Sequence, residues 1–213
     1  MPSAPSQVNP QESVFSFICL SVRTCARGVV PIQWHTDHQR SWAYSPRKSM
    51  KLKTTYLQMF ARPERSVPPP REGLAIIHAR KPTVAYYRFL YDAVGRDYGW
   101  TSRKKLSDGE LAALLHDPRL EVHVLMVDGV PAGFAELDRR IEGEIELVQF
   151  GLTAEFIGQG LGRYFLQWTI DKAWSYSPRR FWLHTDTEDH PAALPNYLKA
   201  GFAIFKEEVK DQE

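Results

Sequence analysis

From residue 50 onward, hydrophobic and polar positions alternate with a short period, and the period changes at a few definite places. Residues 54–57 read as a short strand, closed by a proline-rich loop from Pro63 to Pro70. Residues 74–79 form an apolar strand. Pro82 stands where a first helical residue tolerates proline, which predicts a helix to about Val94 that stops at Gly95. A polar, aromatic loop follows. Ser107 with Glu110 is a capping-box pair opening a second helix through about His116. Residues 122–127 and 132–137 flank Asp128-Gly129, a strong hairpin signal, and residues 144–152 make a further strand. The spacing then becomes helical at Leu161, Tyr164, Phe165, Trp168 and Lys172. A short strand at 181–183, a helix over 192–199 ended by Gly201, and a strand at 202–205 complete the pattern. The predicted fold class is mixed α+β: one layer of mostly antiparallel sheet with helices.

Composition narrows the function classes. The chain has 213 residues, with 43% hydrophobic and 24% charged, a globular profile. Its net charge of +2 is uneven. Residues 1–49 carry Arg23, Arg27, Arg40, Arg47 and Lys48 against Glu12 and Asp37, and the rest is near neutral. A near-neutral body argues against nucleic acid as a partner, because binding it needs a concentrated basic footprint. Both cysteines, Cys19 and Cys25, lie in the first segment, so the body is neither a disulfide scaffold nor a thiol enzyme. The longest early apolar run, residues 14–20, falls short of the roughly 20 residues a bilayer needs and lacks a basic leader. No membrane partner is expected, and the body is most simply cytoplasmic. Residues 1–49 show no sustained period and are expected to be a disordered or loosely attached extension preceding a domain at 50–213. An upstream extension or misassigned start, a transit peptide and a regulatory arm all fit that stretch.

The chemistry concentrates in Gly151-Leu152-Thr153-Ala154-Glu155-Phe156-Ile157-Gly158-Gln159-Gly160-Leu161-Gly162, which joins a strand to an amphipathic helix. Glycines at alternate positions keep side chains off the backbone, so successive N–H groups can point into one concavity at a helix N-terminus. Such a cradle suits a pyrophosphate. It is not a Walker loop, because Gly162 is followed by Arg163-Tyr164. Nor is it a dinucleotide fingerprint, because Gly160 and Gly162 are separated by one residue.

This loop, its helix, and the downstream Asn196-Tyr197-Leu198-Lys199-Ala200-Gly201-Phe202 resemble the GNAT superfamily of acyl-CoA-dependent N-acyltransferases. Gly160 and Gly162 match the family's loop signature, and Tyr197 with Gly201-Phe202 matches its C-terminal one. The element order from about Leu74 to Phe205 also fits. Ile157 departs from the pattern, standing where the family has Arg or Gln, which implies weaker cofactor affinity unless Arg163 supplies compensating charge.

The resemblance implies a GNAT-like sheet splayed between the strand ending near Leu152 and the one starting near Phe181, with acetyl-CoA as co-substrate in the gap. It implies cofactor contacts from Phe150, Gly151, Leu152, Ile157, Gly158, Gln159, Gly160, Leu161, Gly162 and Arg163. Amine attack needs a base, an N–H aimed at the developing oxyanion and a proton for the leaving thiolate. Glu146 takes the family's base position and by strand alternation shares a face with Glu144, Val148 and Phe150; Glu136 is a second carboxylate. Tyr197 takes the acid position. The loop at 95–103 takes the acceptor position, with Asp97, Tyr98 and Trp100 as substrate contacts and His190 shaping the same side. His184, Asp186, Asp189 and His190 match no zinc spacing, and no metal is expected. The expected activity is acetyl transfer to the amine of a small molecule or peptide, by a monomer or homodimer. A catalytically silent acyl-CoA sensor is the alternative.

Overall fold

The computed structural model describes residues 51–211. The N-terminal extension read from sequence therefore lies outside the described residues. Those described form seven strands, β1 (Lys51–Met59), β2 (Leu74–His78), β3 (Leu120–Val127), β4 (Val130–Asp138), β5 (Glu144–Leu152), β6 (Arg180–Asp186) and β7 (Ala203–Asp211). With them run four α-helices, α1 (Val84–Gly95), α2 (Asp108–Leu115), α3 (Leu161–Trp174) and α4 (Ala193–Lys199). All seven strands belong to one sheet in the order β2-β3-β4-β5-β6-β1-β7, antiparallel throughout except for the β5–β6 pair.

Local chemistry accounts for most element ends. Thr83, not Pro82, caps α1 by accepting from the Tyr86 amide, so the proline lies one residue outside the helix. The Ser107–Glu110 capping box opens α2. At Asp128-Gly129 both residues have positive φ, 50° and 84°, the paired left-handed geometry that a two-residue hairpin requires. Two strands exceed their sequence signal: β1 and β7 each run nine residues, and β1 lies between β6 and β7, pairing with both.

The sheet is covered on both faces. Val122 and Val124 of β3 and Phe134 of β4 pack under α1 and α2 with Tyr87, Leu90, Val94 and Leu111. The opposite face buries Leu137, Leu147, Phe181 and Leu183 under Phe165, Leu166 and Ile170 of α3 and Tyr197 of α4. Side-chain alternation along the strands produces this two-sided core.

Two irregularities open a gap in it. The β4–β5 register shifts between Glu136 and Leu137: Gln149 faces Glu136 but Leu147 faces Leu137, leaving Val148 as an extra residue on β5. The parallel β5–β6 pairing ends at Leu147 and Leu183. From Val148 to Leu152 the β6 side of β5 carries no strand partner, so the two strands diverge as expected.

Candidate active site

A cleft of about 560 Å³ occupies that divergence. One wall is β5 from Leu147 to Leu152, and the other includes His184, Asp186, Asp189 and His190. Gly158, Gly160, Gly162 and Arg163 lie at one end of the lining, and Tyr98, Trp100 and Tyr197 contribute aromatic surface.

The glycine end of the cleft is built by backbone geometry. Gly158 and Gly160 take φ of 83° and 78°, which L side chains rarely adopt, and a Cβ at Gly158 would meet nothing within 4 Å. Gly160 is the N-cap of α3 and no side chain caps it. The first amides of this helix, from Leu161 onward, have no carbonyl one turn earlier, and the helix dipole adds a positive partial charge there. Anion binding by such a terminus needs no side chain. Ile157 and Arg163 both line the cleft. Leu161, the first residue of α3, buries its side chain fully in the core, and Leu161 is not among the cleft-lining residues. Gln159 turns away, donating its amide to the Glu155 carbonyl at 2.8 Å.

The middle of the cleft depends on close backbone approach. A Cβ on Gly151 would lie 2.4 Å from Val94 Cγ1, so glycine lets α1 press against the end of β5. Gly151 is thus a site of close packing, while the bulge falls three residues earlier at Val148. Peptide groups of residues 148–152 that point toward β6 face the cleft instead of a strand.

Tyr197 lines the cleft with its ring nearly buried, 7% exposed, and its phenol makes no hydrogen bond to another described residue. Burial, reinforced by the Asp189 charge, pushes that phenol above its ordinary value, so it stays protonated through the physiological range. Phe150 and Phe202 hold the ring edge-on, at 6.3 and 6.1 Å.

Of the residues expected to contact the acceptor, Tyr98, Trp100 and His190 line the cleft. Tyr98 packs edge-on against His190 at 5.9 Å, and both line the cleft. Trp100 has two roles: its ring packs on Tyr91 and Phe134, and its indole Nε1 donates to Asp189 Oδ1 at 3.1 Å. Asp97 is exposed and is not part of the lining. Its place as an acidic wall is taken by Asp186 and Asp189, which the sequence shows only as polar residues at a strand end. Asp189 is fixed by Thr185 Oγ1 at 2.6 Å and the Asp186 amide at 3.2 Å.

Glu146 stands elsewhere than strand alternation implies. The extra residue at Val148 puts Phe150 on the α3 face with Leu147, and leaves Glu146 on the opposite face. Glu146 lines a separate depression with Asp138, Arg140 and Trp182. Its link to the cleft is His184, whose Nδ1 lies 3.5 Å from Glu146 Oε1. The other carboxylate, Glu136, is fully buried and held by Arg103 and the Tyr87 hydroxyl. It anchors the loop after α1 and has no face on the cleft.

One group of potential metal ligands gathers among the described residues. His78, Glu121 and His123 bring ligand atoms within 4.8 Å, on the α3 face of β2 and β3. Glu121 is already engaged by Arg139 at 2.9 Å, the Tyr176 hydroxyl and His123 Nε2 at 2.9 Å, with Lys172 at 3.6 Å. Two cations compensating one carboxylate leave little charge to attract a third, and the cluster reads as a structural network. No helix among the described residues is long and apolar enough to cross a membrane.

Comparison with solved structures agrees with this architecture. A GCN5-related N-acetyltransferase from Sphaerobacter thermophilus superposes with a TM-score of 0.56 at 16% identity, covering 74% of this chain and 50% of that one. A tandem GNAT protein from the clavulanic acid biosynthesis pathway gives 0.54 at 13%, covering 74% and 51%. An aminoglycoside acetyltransferase from an uncultured soil metagenomic sample gives 0.50 at 13%, covering 61% and 88%. The chain thus spans about half the length of the first two, and at these identities the likeness is one of fold. No curated protein matches the sequence. The model of the acetyltransferase (GNAT) family matches residues 86–202, from α1 to the end of the Tyr197–Phe202 motif, and the chain belongs to that family.

Proposed function

We propose that the protein transfers an acetyl group from acetyl-CoA to the amine of a small molecule or peptide. The observation that carries this reading is the joining of two features in one cleft: an uncapped α3 N-terminus behind Gly158 and Gly160, and strands β5 and β6 parted beyond Leu147 and Leu183. The diphosphate would lie on the amides from Gly158 to Arg163, with Arg163 adding side-chain charge. The pantetheine arm, an extended chain with its own amides, would lie along the open edge of β5 and satisfy peptide groups that β6 leaves unpaired.

That placement brings the thioester toward the point where the strands part. An amide of β5 beyond Val148 is the natural donor to the oxyanion, because a fixed backbone dipole needs no reorganisation as charge develops. Tyr197 supplies the proton for the departing thiolate. Tyr98, Trp100, Asp189 and His190 would receive the acceptor, with aromatic walls and an acidic edge suited to a cationic amine.

Ile157 at the rim favours one other reading, an acyl-CoA-binding module without turnover. Thiol release from acetyl-CoA in the presence of a panel of amines separates the two: the enzyme releases thiol with at least one amine, whereas a silent binder holds the cofactor and releases none.

A further inference from the structure

The transfer proposed above leaves open which group takes the proton from the attacking ammonium. Glu146 does not line the cleft and instead borders a neighbouring depression. His184 does line it. In the parallel β5–β6 pair, Glu146 precedes and His184 follows the last paired residues, Leu147 and Leu183, so both side chains emerge on one face at the apex of the gap. Glu146 Oε1 lies 3.5 Å from His184 Nδ1, and the imidazole, 43% exposed at its side chain, lines the cleft. Its other nitrogen, Nε2, has no partner among the described residues.

We propose that His184 is the base that takes the acceptor's proton, and that Glu146 is its positioning residue. A carboxylate at Nδ1 selects the tautomer with its hydrogen on that nitrogen, which leaves the Nε2 lone pair free. Tyr56, the register partner of His184 on β1, packs its ring 5.8 Å away and limits rotation of the imidazole. Tyr56 is held in turn by Glu208, 3.0 Å from its hydroxyl, with Lys206 over the ring at 5.1 Å. The groups facing His184 are predominantly acidic: Glu146 from β5, Asp186 from its own strand, Asp189 from the following loop. The Glu146 carboxylate beside Nδ1 raises the imidazole above its ordinary value against the opposing effect of burial, with the charges of Asp189 and Asp186 acting in the same direction. A base raised in this way can accept a proton from an ammonium near neutral pH, a better match than a carboxylate of ordinary acidity.

The proton balance closes. The acceptor ammonium gives one proton to His184 Nε2, and the free amine then forms the C–N bond as the carbonyl electron pair moves onto oxygen. That pair returns, the C–S bond breaks, and the thiolate takes the proton of Tyr197. The second proton of the new amide nitrogen restores the Tyr197 phenol, and His184 releases its proton to solvent. One proton appears per amide formed.

The test uses the full chain, with tyramine and spermidine as probe amines and water as the background nucleophile. Thiol release from acetyl-CoA is followed from pH 5 to 9, beside calorimetric titration with coenzyme A. The wild-type rate should fall on the acid side as His184 protonates. His184→Gln should lower the rate at pH 7 about 10²-fold and abolish that limb. Glu146→Gln should keep the limb but move it to lower pH, since the group that raises the imidazole is gone. Both variants should bind coenzyme A as the wild type does. A His184→Gln profile that superimposes on the wild type overturns the role of His184, and an unmoved limb in Glu146→Gln overturns that of Glu146. Wild-type protein that binds coenzyme A but releases no thiol overturns the transfer itself along with this step. Absence of binding overturns the proposed function at its root.

Discussion

Phe202 donates its amide to the carbonyl of Tyr197 at 3.1 Å, and the two rings stand edge-on 6.1 Å apart. Together with the Gly201 amide on the Leu198 carbonyl at 3.1 Å and a Gly201 φ of 104°, this is a Schellman ending to α4. The Tyr-x-x-x-Gly-Phe spacing is therefore a helix stop that also fixes where the tyrosine ring enters the cleft. Glycine permits the left-handed turn, and phenylalanine supplies the apolar contact back to the tyrosine.

Tyr197→Phe keeps that contact and removes only the hydroxyl. If the phenol protonates the thiolate, turnover should fall about 10²-fold while affinity for acetyl-CoA stays within a factor of two. Steady-state rates alongside calorimetric titration check this, and equal rates for the two proteins would assign Tyr197 to packing alone.

Asp189 joins two sides of the cleft, receiving Trp100 Nε1 from one and Thr185 from the other. Trp100→Phe retains the aromatic wall but removes the tether. The Michaelis constant for the amine should rise several-fold, with affinity for coenzyme A unchanged, because the loop after α1 loses an anchor of about 1–3 kcal/mol. Initial rates over a range of amine concentrations measure the effect.

Much of this arrangement was legible from sequence where the signal is local. Asp128-Gly129, the Ser107–Glu110 box and the glycine-flanked start of α3 each encode their own backbone geometry, and the structure carries all three. Pairing between distant segments was not legible. Nothing within residues 51–59 states that they fit between β6 and β7, because that position is set by two partners over a hundred residues away. The face of Glu146 was misjudged for a related reason. A bulge is a property of two strands in register, and the single extra residue at Val148 reverses every side chain on one side of it. Asp189 carried no motif at all; only the folded loop brings it to Trp100.

The position of β1 makes a truncation informative. A chain beginning at residue 50 should unfold cooperatively, whereas one beginning at residue 61 loses the strand that β6 and β7 both pair with and uncovers Phe181 and Leu183. Thermal unfolding by circular dichroism should show a cooperative transition for the first and none for the second.

Stability should respond to acid through Glu121. Burial opposes its ionisation, but hydrogen bonds from His123 and Tyr176 and the charges of Lys172 and Arg139 prevail, holding it at about 2 against an ordinary 4.5. A depressed value means that the contribution is fully present above pH 4.5 and is lost as pH falls toward 2. Glu121→Gln should be less stable than the wild type at pH 7, and the difference should narrow across that interval. Denaturant unfolding at pH 7, 4.5 and 3 reads it directly; a constant difference would remove Glu121 from the acid response.

The claim on which the rest depends is that main-chain amides from Gly158 onward grip the diphosphate of an acyl-CoA. Isothermal titration with coenzyme A at low ionic strength tests it, using wild-type protein beside Gly160→Val. The side chain introduced at φ 78° should strain the cradle and cut affinity at least tenfold while the fold survives. Wild-type binding that weakens with salt and is largely lost in the variant is the predicted result. No heat of binding from the wild type, or equal affinity in both proteins, would contradict it.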